Sequence, residues 1–140
     1  MATVRRFEDL ECWKEARELV KAVYAYTENE KFRRDFELKT QIRRSAVSLM
    51  ANIAEGFHRR SDKDFVKFLD YARASAAETL SHGYVAYDQN YVDEITLKIF
   101  KEKIDRVWKK LNAFMSYLTR MNQATKSTRP TNRPNGRIDQ

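Results

Sequence analysis

The chain has 140 residues, and 27 Lys and Arg against 20 Asp and Glu give it a formal net charge of +7. This length suits a single domain with a hydrophobic core of its own. One cysteine rules out an intrachain disulfide, and no apolar run reaches the roughly 18 residues that a membrane span needs. We therefore expect a soluble cytoplasmic protein with no membrane contact, whose positive charge favours a polyanionic partner.

Helix-breaking residues are rare before residue 122, because the chain has only three Gly and its two Pro are Pro130 and Pro134. The sequence up to that point therefore predicts almost uninterrupted helix. Helix 1 is predicted from about Asp9 to Thr27, with Trp13 as a buried anchor. Cys12 is interpreted as an inert packing residue and not as a nucleophile.

The second predicted helix, from about Phe36 to Gly56, is the segment around which we expect the other helices to pack. Apolar side chains recur along it at helical spacing, at Ile42, Ala46, Leu49 and Ile53. Short side chains beside this stripe allow a neighbouring helix to approach closely. Gly56 is interpreted as the permissive backbone position that ends the helix.

Two further helices follow, each with its own start signal. Ser61 begins a predicted capping box with Asp64, and the helix after it has a mostly small face. Asp93 is the predicted N-cap of helix 4, which has the strongest amphipathic pattern and ends at Met121. Ile95 and Ile99 lie off its main stripe and are available for a second surface.

Short connections between long helices predict an all-α fold, an antiparallel up-down-up-down four-helix bundle over residues 1–121. Residues 122–140 are polar, contain both Pro and have no apolar face, so we expect a flexible, disordered basic tail. Its cations are Lys126, Arg129, Arg133 and Arg137. Two interpretations of the tail stay open, namely a polyanion-binding arm and an extension without a function.

The sequence supplies little for catalysis or metal binding, since it has two His and one Cys. Glu55-Gly56-Phe57-His58 matches one Glu-x-x-His element of di-iron bundles, but such sites need a second element and two further carboxylates. Gly-rich phosphate loops, zinc-ligand spacings and a Ser–His–acid set are missing. We therefore predict a protein that is not an enzyme, with no catalytic residues, no metal and no cofactor.

Basic residues cluster at the second predicted helix and at its exit. The candidates for nucleic-acid contact there are Arg43, Arg44, Arg59, Arg60 and Lys63, together with the four cations of the tail. For Arg43 and Arg44 an alternative stays open, in which they form ion pairs with acids of a neighbouring helix or subunit. Tyrosines can stack on unpaired bases or fill subunit interfaces, and the candidates are Tyr24, Tyr26, Tyr84, Tyr87 and Tyr91.

The stretch from Gln41 to Gly56 carries the pattern Gln-x-x-Arg-Ser-Ala-x-Ser-x-x-x-Asn-Ile-Ala-Glu-Gly. With Phe7-Glu8-Asp9-Leu10 before it and Asp64-Phe65-x-x-Phe68-Leu69 after it, the chain resembles the bacterial four-helix-bundle family of rRNA intervening-sequence proteins. A related group is the accessory variability determinant of diversity-generating retroelements. The resemblance implies a homopentamer, and in the related group the basic pentamer binds RNA and a reverse transcriptase.

The motif residues Asn52, Glu55 and Gly56 are interpreted as structural. Arg44 matches the basic position of the motif and is the best single candidate for a polyanion contact or a subunit ion pair. Our first hypothesis is a non-enzymatic homo-oligomeric scaffold that binds RNA by electrostatic contacts, with a retroelement accessory role beside a reverse transcriptase as its narrowest form. The alternative is a protein–protein adaptor that binds no nucleic acid.

Overall fold

The computed structural model describes residues 4–128, with side chains up to residue 124, and this part of the chain is almost entirely helical. The four long helices are α1 (Glu11–Thr27), α2 (Phe36–Phe57), α3 (Asp62–Asp88) and α4 (Glu94–Thr128). Two short 3-10 turns, Phe7–Asp9 and Phe32–Arg34, precede α1 and α2. The predicted all-α class is confirmed. None of the described helices is long and apolar enough to cross a bilayer.

The helices form a closed ring in which each one packs against its two neighbours and α4 returns to α1. Because the connections are short, successive helices run antiparallel, and the predicted up-down-up-down bundle is confirmed. Residues 28–35 and 89–93 connect helices at one end of the bundle, here called the double-loop end. Residues 58–61 connect α2 to α3 at the other end, here called the single-loop end. The start of α1 also lies at the single-loop end.

The core contribution of α1 agrees with the prediction at Cys12 and differs from it at Trp13. Cys12 is fully buried, and burial raises the pKa of its thiol to about 12, in keeping with the predicted packing role. Trp13, predicted as a buried anchor, is only partly buried. It lies at the edge of the core, where the 3-10 turn before α1 brings Phe7 against it, with the ring centroids 5.2 Å apart. The packing at this position therefore depends on a turn that the helical periodicity does not describe.

The contact between α2 and α3 is the most extensive in the bundle and uses short side chains, as predicted. The hydroxyl of Thr79 donates to Ser45 over 2.8 Å, and the hydroxyls of Ser48 and Ser75 share a hydrogen bond of 3.1 Å. These pairs satisfy the polar atoms that short side chains bring to a helix contact.

Gly56 has a different role from the predicted one. It lies inside α2, which ends at Phe57, and its backbone φ is not positive. A Cβ at this position would lie 2.8 Å from the Cβ of Phe68 and 2.9 Å from Cδ1 of Phe65. Gly56 is therefore required by the close approach of α3, and the interpretation as a helix-ending backbone position is corrected.

The predicted N-caps of α3 and α4 are confirmed. The hydroxyl of Ser61 accepts from the backbone N–H of Asp64 over 3.1 Å. The carboxylate of Asp93 accepts from the backbone N–H of Thr96 over 2.7 Å, and this bond lowers the pKa of Asp93 below its ordinary value. Both caps satisfy backbone donors that have no partner within the helix.

The two connections of the double-loop end are tied together. The hydroxyl of Tyr91 donates to the carboxylate of Asp35 over 2.9 Å, and the side-chain amide of Asn29 donates to the backbone carbonyl of Tyr91 over 2.8 Å. Asn90, with a φ of 64°, makes the left-handed turn after α3 that presents Tyr91 to the other loop. This end of the bundle is therefore closed by side chains from both connections.

Helix α4 continues to Thr128, so the prediction that it ends at Met121 is corrected. Residues 122–128 contain neither Gly nor Pro, and nothing in them interrupts the helical hydrogen bonding. The first strong sequence signal against helix is Pro130, which disfavours helical backbone at the residue before it. The predicted boundary between bundle and tail thus falls inside α4, and residues 129–140 lie outside the described part of the chain.

Candidate nucleic-acid interface

Arg43 is engaged within the bundle. Its Nε donates to the hydroxyl of Thr27 over 2.8 Å, and its Nη2 donates to the carboxylate of Glu28 over 2.6 Å. Its Cζ lies 4.2 Å from the ring centroid of Tyr24, and its side chain is only 21% exposed. The hydrogen bond from Arg43, followed by the charge of Lys39, holds the pKa of Glu28 below its ordinary value. For Arg43 the structure therefore has the ion pair that the sequence left open.

Arg44 has a different environment although it is the next residue. Successive residues are turned by about 100° around a helix, so Arg44 faces away from α1. Its side chain is exposed, and within the described part of the chain it has no ion-pair partner. Arg44 therefore stays a candidate for a polyanion contact or a contact between subunits.

The cations after α2 form a group at the single-loop end, here called the exit cluster, which consists of Arg59, Arg60 and Lys63. Arg59 pairs with Glu55, with 2.7 Å between Nη2 and Oε1, and its Cζ lies 4.3 Å from the ring centroid of Phe68. Arg60 and Lys63 are exposed, and neither forms an ion pair with a described residue. The exit cluster thus presents one positioned guanidinium and two free cations.

The structure does not bring all the predicted cations together. Arg43 and Phe57 are separated by about 21 Å along α2, at the helical rise of about 1.5 Å per residue, so Arg43 and Arg44 are distant from the exit cluster. The last turns of α4, which include Lys126, run toward the single-loop end because α4 is antiparallel to α3. Three further predicted cations, Arg129, Arg133 and Arg137, lie outside the described residues.

The motif residues Asn52 and Glu55 each contact a residue four positions away along the chain. The side-chain amide of Asn52 donates to the backbone carbonyl of Ser48 over 2.9 Å and to its hydroxyl over 3.1 Å. Because that hydroxyl also meets Ser75, Asn52 extends the polar contact between α2 and α3. Glu55 holds Arg59, as described above. Asn52 and Gly56 thus lie at the contact between α2 and α3, and Glu55 pairs with a residue of the connection that follows α2.

The Glu-x-x-His sequence at the end of α2 is not arranged around a metal position in the described structure. The carboxylate of Glu55 pairs with Arg59, and the ring of His58 lies against the rings of Phe7 and Phe57 at 6.1 and 5.3 Å. Among the residues described, no three or more His, Cys, Asp or Glu side chains are grouped so that they could hold a metal ion.

Several tyrosines predicted to stack on bases already have partners. Tyr24 lies under the guanidinium of Arg43. Tyr84 lies 5.6 Å from the ammonium of Lys101, whose pKa is raised by a hydrogen bond with Tyr84. The hydroxyl of Tyr91 is used at the double-loop end. These contacts reduce the ring surface or the polar group that each tyrosine offers to a ligand.

Sequence reasoning missed two residues that extend the exit cluster along α3. Lys67 and Tyr71 are exposed, and Tyr71 retains 44% of its accessible surface. They follow Lys63 at steps of four residues, so all three lie on one face of the helix. That spacing was the available signal, but an exposed lysine at such a step is also typical of an ordinary solvated helix face.

A model of the 23S rRNA-intervening sequence protein family matches residues 8–113, which include the whole of α1, α2 and α3. The chain belongs to this family. The resemblance inferred from the Gln41–Gly56 pattern is therefore confirmed. A solved structure of a protein of unknown function from the S23 ribosomal protein family of Bacteroides thetaiotaomicron is also similar, with a TM-score of 0.68. The two chains are 23% identical, and the match covers 74% of this chain and 97% of that one.

The likeness to this solved structure, at 23% identity, supports the fold alone. The comparison with curated proteins found no match to the chain. The family match divides the candidate residues of this chain into two groups. The exit cluster, Arg43, Arg44 and the motif residues lie inside the matched region, whereas Lys126 and the later cations lie beyond it. The exit cluster, Arg43 and Arg44 therefore have equivalent positions in the family model, whereas Lys126 and the later cations do not.

Proposed function

We propose that this protein is a non-enzymatic scaffold that binds RNA through phosphate contacts made by the exit cluster. The observation that carries this proposal is the exposure of Arg60 and Lys63, neither of which has an acidic partner among the described residues. A cation without an intramolecular partner keeps its hydrogen-bond donors for a phosphate oxygen. Arg59, fixed between Glu55 and Phe68, adds a guanidinium in a defined orientation.

RNA is proposed as the nucleic acid because of the resemblance to the accessory proteins of diversity-generating retroelements. The same resemblance supports a homopentamer and, as the narrowest form of the proposal, a cytoplasmic role that assists a reverse transcriptase. A ring of subunits would repeat the exit cluster several times, and repeated weak phosphate contacts add to a stronger total affinity. Light scattering of the purified protein measures the subunit number, and co-purification with a reverse transcriptase of a diversity-generating retroelement tests the narrowest form.

The test of RNA binding is a salt series with the full-length protein. Each phosphate contact releases counterions, so the logarithm of affinity falls linearly with the logarithm of salt concentration. The double variant Arg60→Ala/Lys63→Ala is expected to reduce this slope by about 1.4, the sum of two contacts of about 0.7 each with a single strand. The matched control is Lys31→Ala/Arg33→Ala, which removes the same charge from exposed residues near the double-loop end.

Equal losses in both double variants would mean that net charge, and not the exit cluster, determines affinity. If the unmodified protein binds no RNA even at low salt, the proposal is wrong. The second candidate function, a protein–protein adaptor, then takes its place. That alternative is favoured by the exposure of Phe36 and Ile95, at 74% and 71%, because apolar side chains so exposed are typical of surfaces that contact other proteins.

A further inference from the structure

A continuous aromatic surface runs from the exit of α2 onto α3. The guanidinium carbon of Arg59 lies 4.3 Å from the ring centroid of Phe68. The ring of Phe68 in turn meets the ring of Tyr71 edge-on, with 5.4 Å between centroids and 77° between planes. Phe68 is partly buried and fixed against Gly56, whereas Tyr71 is 44% exposed. The outer ring of this surface is therefore open to a ligand and supported from behind.

Two lysines lie beside this open ring. Lys63, Lys67 and Tyr71 follow one another at four-residue steps, about 6 Å apart along the helix axis, and are here called the α3 stripe. Neither lysine has an ion-pair partner among the described residues. Of the neighbouring acids, Glu55 pairs with Arg59, Asp70 pairs with Arg73 and Asp62 is buried, while Asp64 is exposed on the flank of α3.

Tyr71 differs from Tyr24 and Tyr84 in what covers its ring, whereas Tyr87, exposed at 36%, lies in the last turn of α3 at the double-loop end, distant from these lysines. Tyr24 and Tyr84 are exposed to a similar degree, at 42% and 41%, but a cation already lies over each ring. The ring of Tyr71 contacts the ring of Phe68 in a T-shaped arrangement, no cation lies over it among the described residues, and its hydroxyl has no hydrogen-bond partner there. Tyr71 thus offers an uncovered ring next to two unpaired lysines. Proteins that bind single-stranded nucleic acid combine aromatic rings and cations in this way.

We propose that the α3 stripe is a site for unpaired RNA, in which a base stacks on Tyr71 while Lys63 and Lys67 contact the adjoining phosphates. This inference rests on the proposed RNA binding and narrows it to single-stranded segments, loops or ends. A base inside a duplex has both faces covered by its neighbours, so only an unpaired base can lie on Tyr71. Phosphate contacts alone would not distinguish the two forms of RNA.

The test measures fluorescence anisotropy of the full-length protein with two labelled probes, a short oligouridine and an RNA duplex of the same length. Tyr71→Ala is expected to weaken oligouridine binding by about 5- to 150-fold, the range of a single stacked base. Tyr71→Phe keeps the ring and is expected to retain the affinity. Tyr84→Ala is the matched control and is expected to leave oligouridine binding unchanged.

The salt series separates the two parts of the site. Tyr71→Ala is expected to leave the slope unchanged, because stacking releases no counterions, whereas Lys67→Ala is expected to reduce it by about 0.7. Thermal unfolding of each variant verifies that the bundle is intact. If Tyr71→Ala and Tyr84→Ala bind oligouridine equally well, the stacking site is wrong and RNA binding stands. If Tyr71→Ala weakens binding to the duplex as much as binding to oligouridine, the stacking site is also wrong. If the unmodified protein binds neither probe, the proposed function itself is wrong.

Discussion

The guanidinium of Arg43 lies over the ring of Tyr24, with its Cζ 4.2 Å from the ring centroid, and joins α2 to the end of α1. Arg44, the next residue, is exposed and unpaired within the described chain. Two adjacent cations of the family motif region therefore have separate roles, because the helix turns them to different neighbours. One holds the bundle together, and the other is available to a partner.

The first prediction concerns the stability that Arg43 contributes. Arg43→Ala removes the hydrogen bond to buried Thr27 and the contact with Tyr24, and is expected to lower the free energy of unfolding by about 1–2 kcal/mol. Arg44→Ala is the matched control and is expected to change it by less than about 0.5 kcal/mol. Urea unfolding followed by circular dichroism measures both. Equal stability of the two variants would contradict the structural role of Arg43.

The sequence predicts local features of this bundle well and distant partners poorly. The caps Ser61 and Asp93 are recognisable because each contacts a backbone N–H three residues away. The partners of Arg43 are 15 and 16 residues distant in sequence, and no local pattern selects Glu28 over other acids. The open alternatives for Arg43 therefore reflect a tertiary contact that the spacing of residues does not encode.

The candidate site has the same limit. The exit cluster could be predicted because Arg59, Arg60 and Lys63 are close in sequence and lie at a helix connection. Tyr71 could not be recognised from the sequence, because its candidacy as a stacking residue depends on a tertiary arrangement. Phe68 packs against Gly56, and its ring in turn contacts the ring of Tyr71. A pattern of four-residue steps reveals a common face, but not which of its rings stays uncovered.

The second prediction concerns the close approach of α3 to Gly56. Gly→Ala inside a helix ordinarily stabilises by up to about 1 kcal/mol. At Gly56 the added Cβ would lie 2.8 Å from the Cβ of Phe68, an atom held near the backbone of α3. Overpacking of this kind costs about 1–3 kcal/mol, so Gly56→Ala is expected to lower the free energy of unfolding in urea by about 1–2 kcal/mol.

Ala51→Gly provides the control, since Ala51 is an exposed residue of the same helix. It is expected to lower stability by about 0.5–1 kcal/mol through helix propensity alone. If Gly56→Ala and Ala51→Gly both lower the free energy of unfolding, helix propensity cannot explain the effect at Gly56. Steric exclusion of a Cβ by α3 then explains it. A stabilised Gly56→Ala variant would instead mean that α3 can move away from α2 without loss.

The third prediction is a pH dependence that comes from Cys12. Burial raises the pKa of its thiol from 9.0 to about 12. A group whose pKa is raised by folding contributes its full stabilisation below the unfolded pKa and loses it as the pH rises toward the folded value. Stability is therefore expected to fall above about pH 9, by up to about 1.4 kcal/mol per pH unit.

Cys12→Ala isolates this contribution from the titration of other groups. The difference in free energy of unfolding between the unmodified protein and Cys12→Ala is expected to be constant below about pH 8 and to shift against the unmodified protein toward about pH 10.5. A thiol-specific reagent is also expected to react slowly with the folded protein and rapidly in urea. Fast labelling of the folded protein would contradict the complete burial of the thiol.

The last prediction separates the bundle from the residues after it. Leu118 is the last buried side chain among the described residues of α4. Truncation after Thr128 removes Arg129, Arg133 and Arg137 and is expected to leave the free energy of unfolding within about 0.5 kcal/mol of the full chain. If the exit cluster provides the phosphate contacts, the salt slope of RNA binding is also expected to stay unchanged.

A decrease of the slope by about 2 would instead assign the contacts to the three arginines, at about 0.7 for each. The interpretation of residues beyond α4 as a polyanion-binding arm would then be favoured over that of an extension without a function.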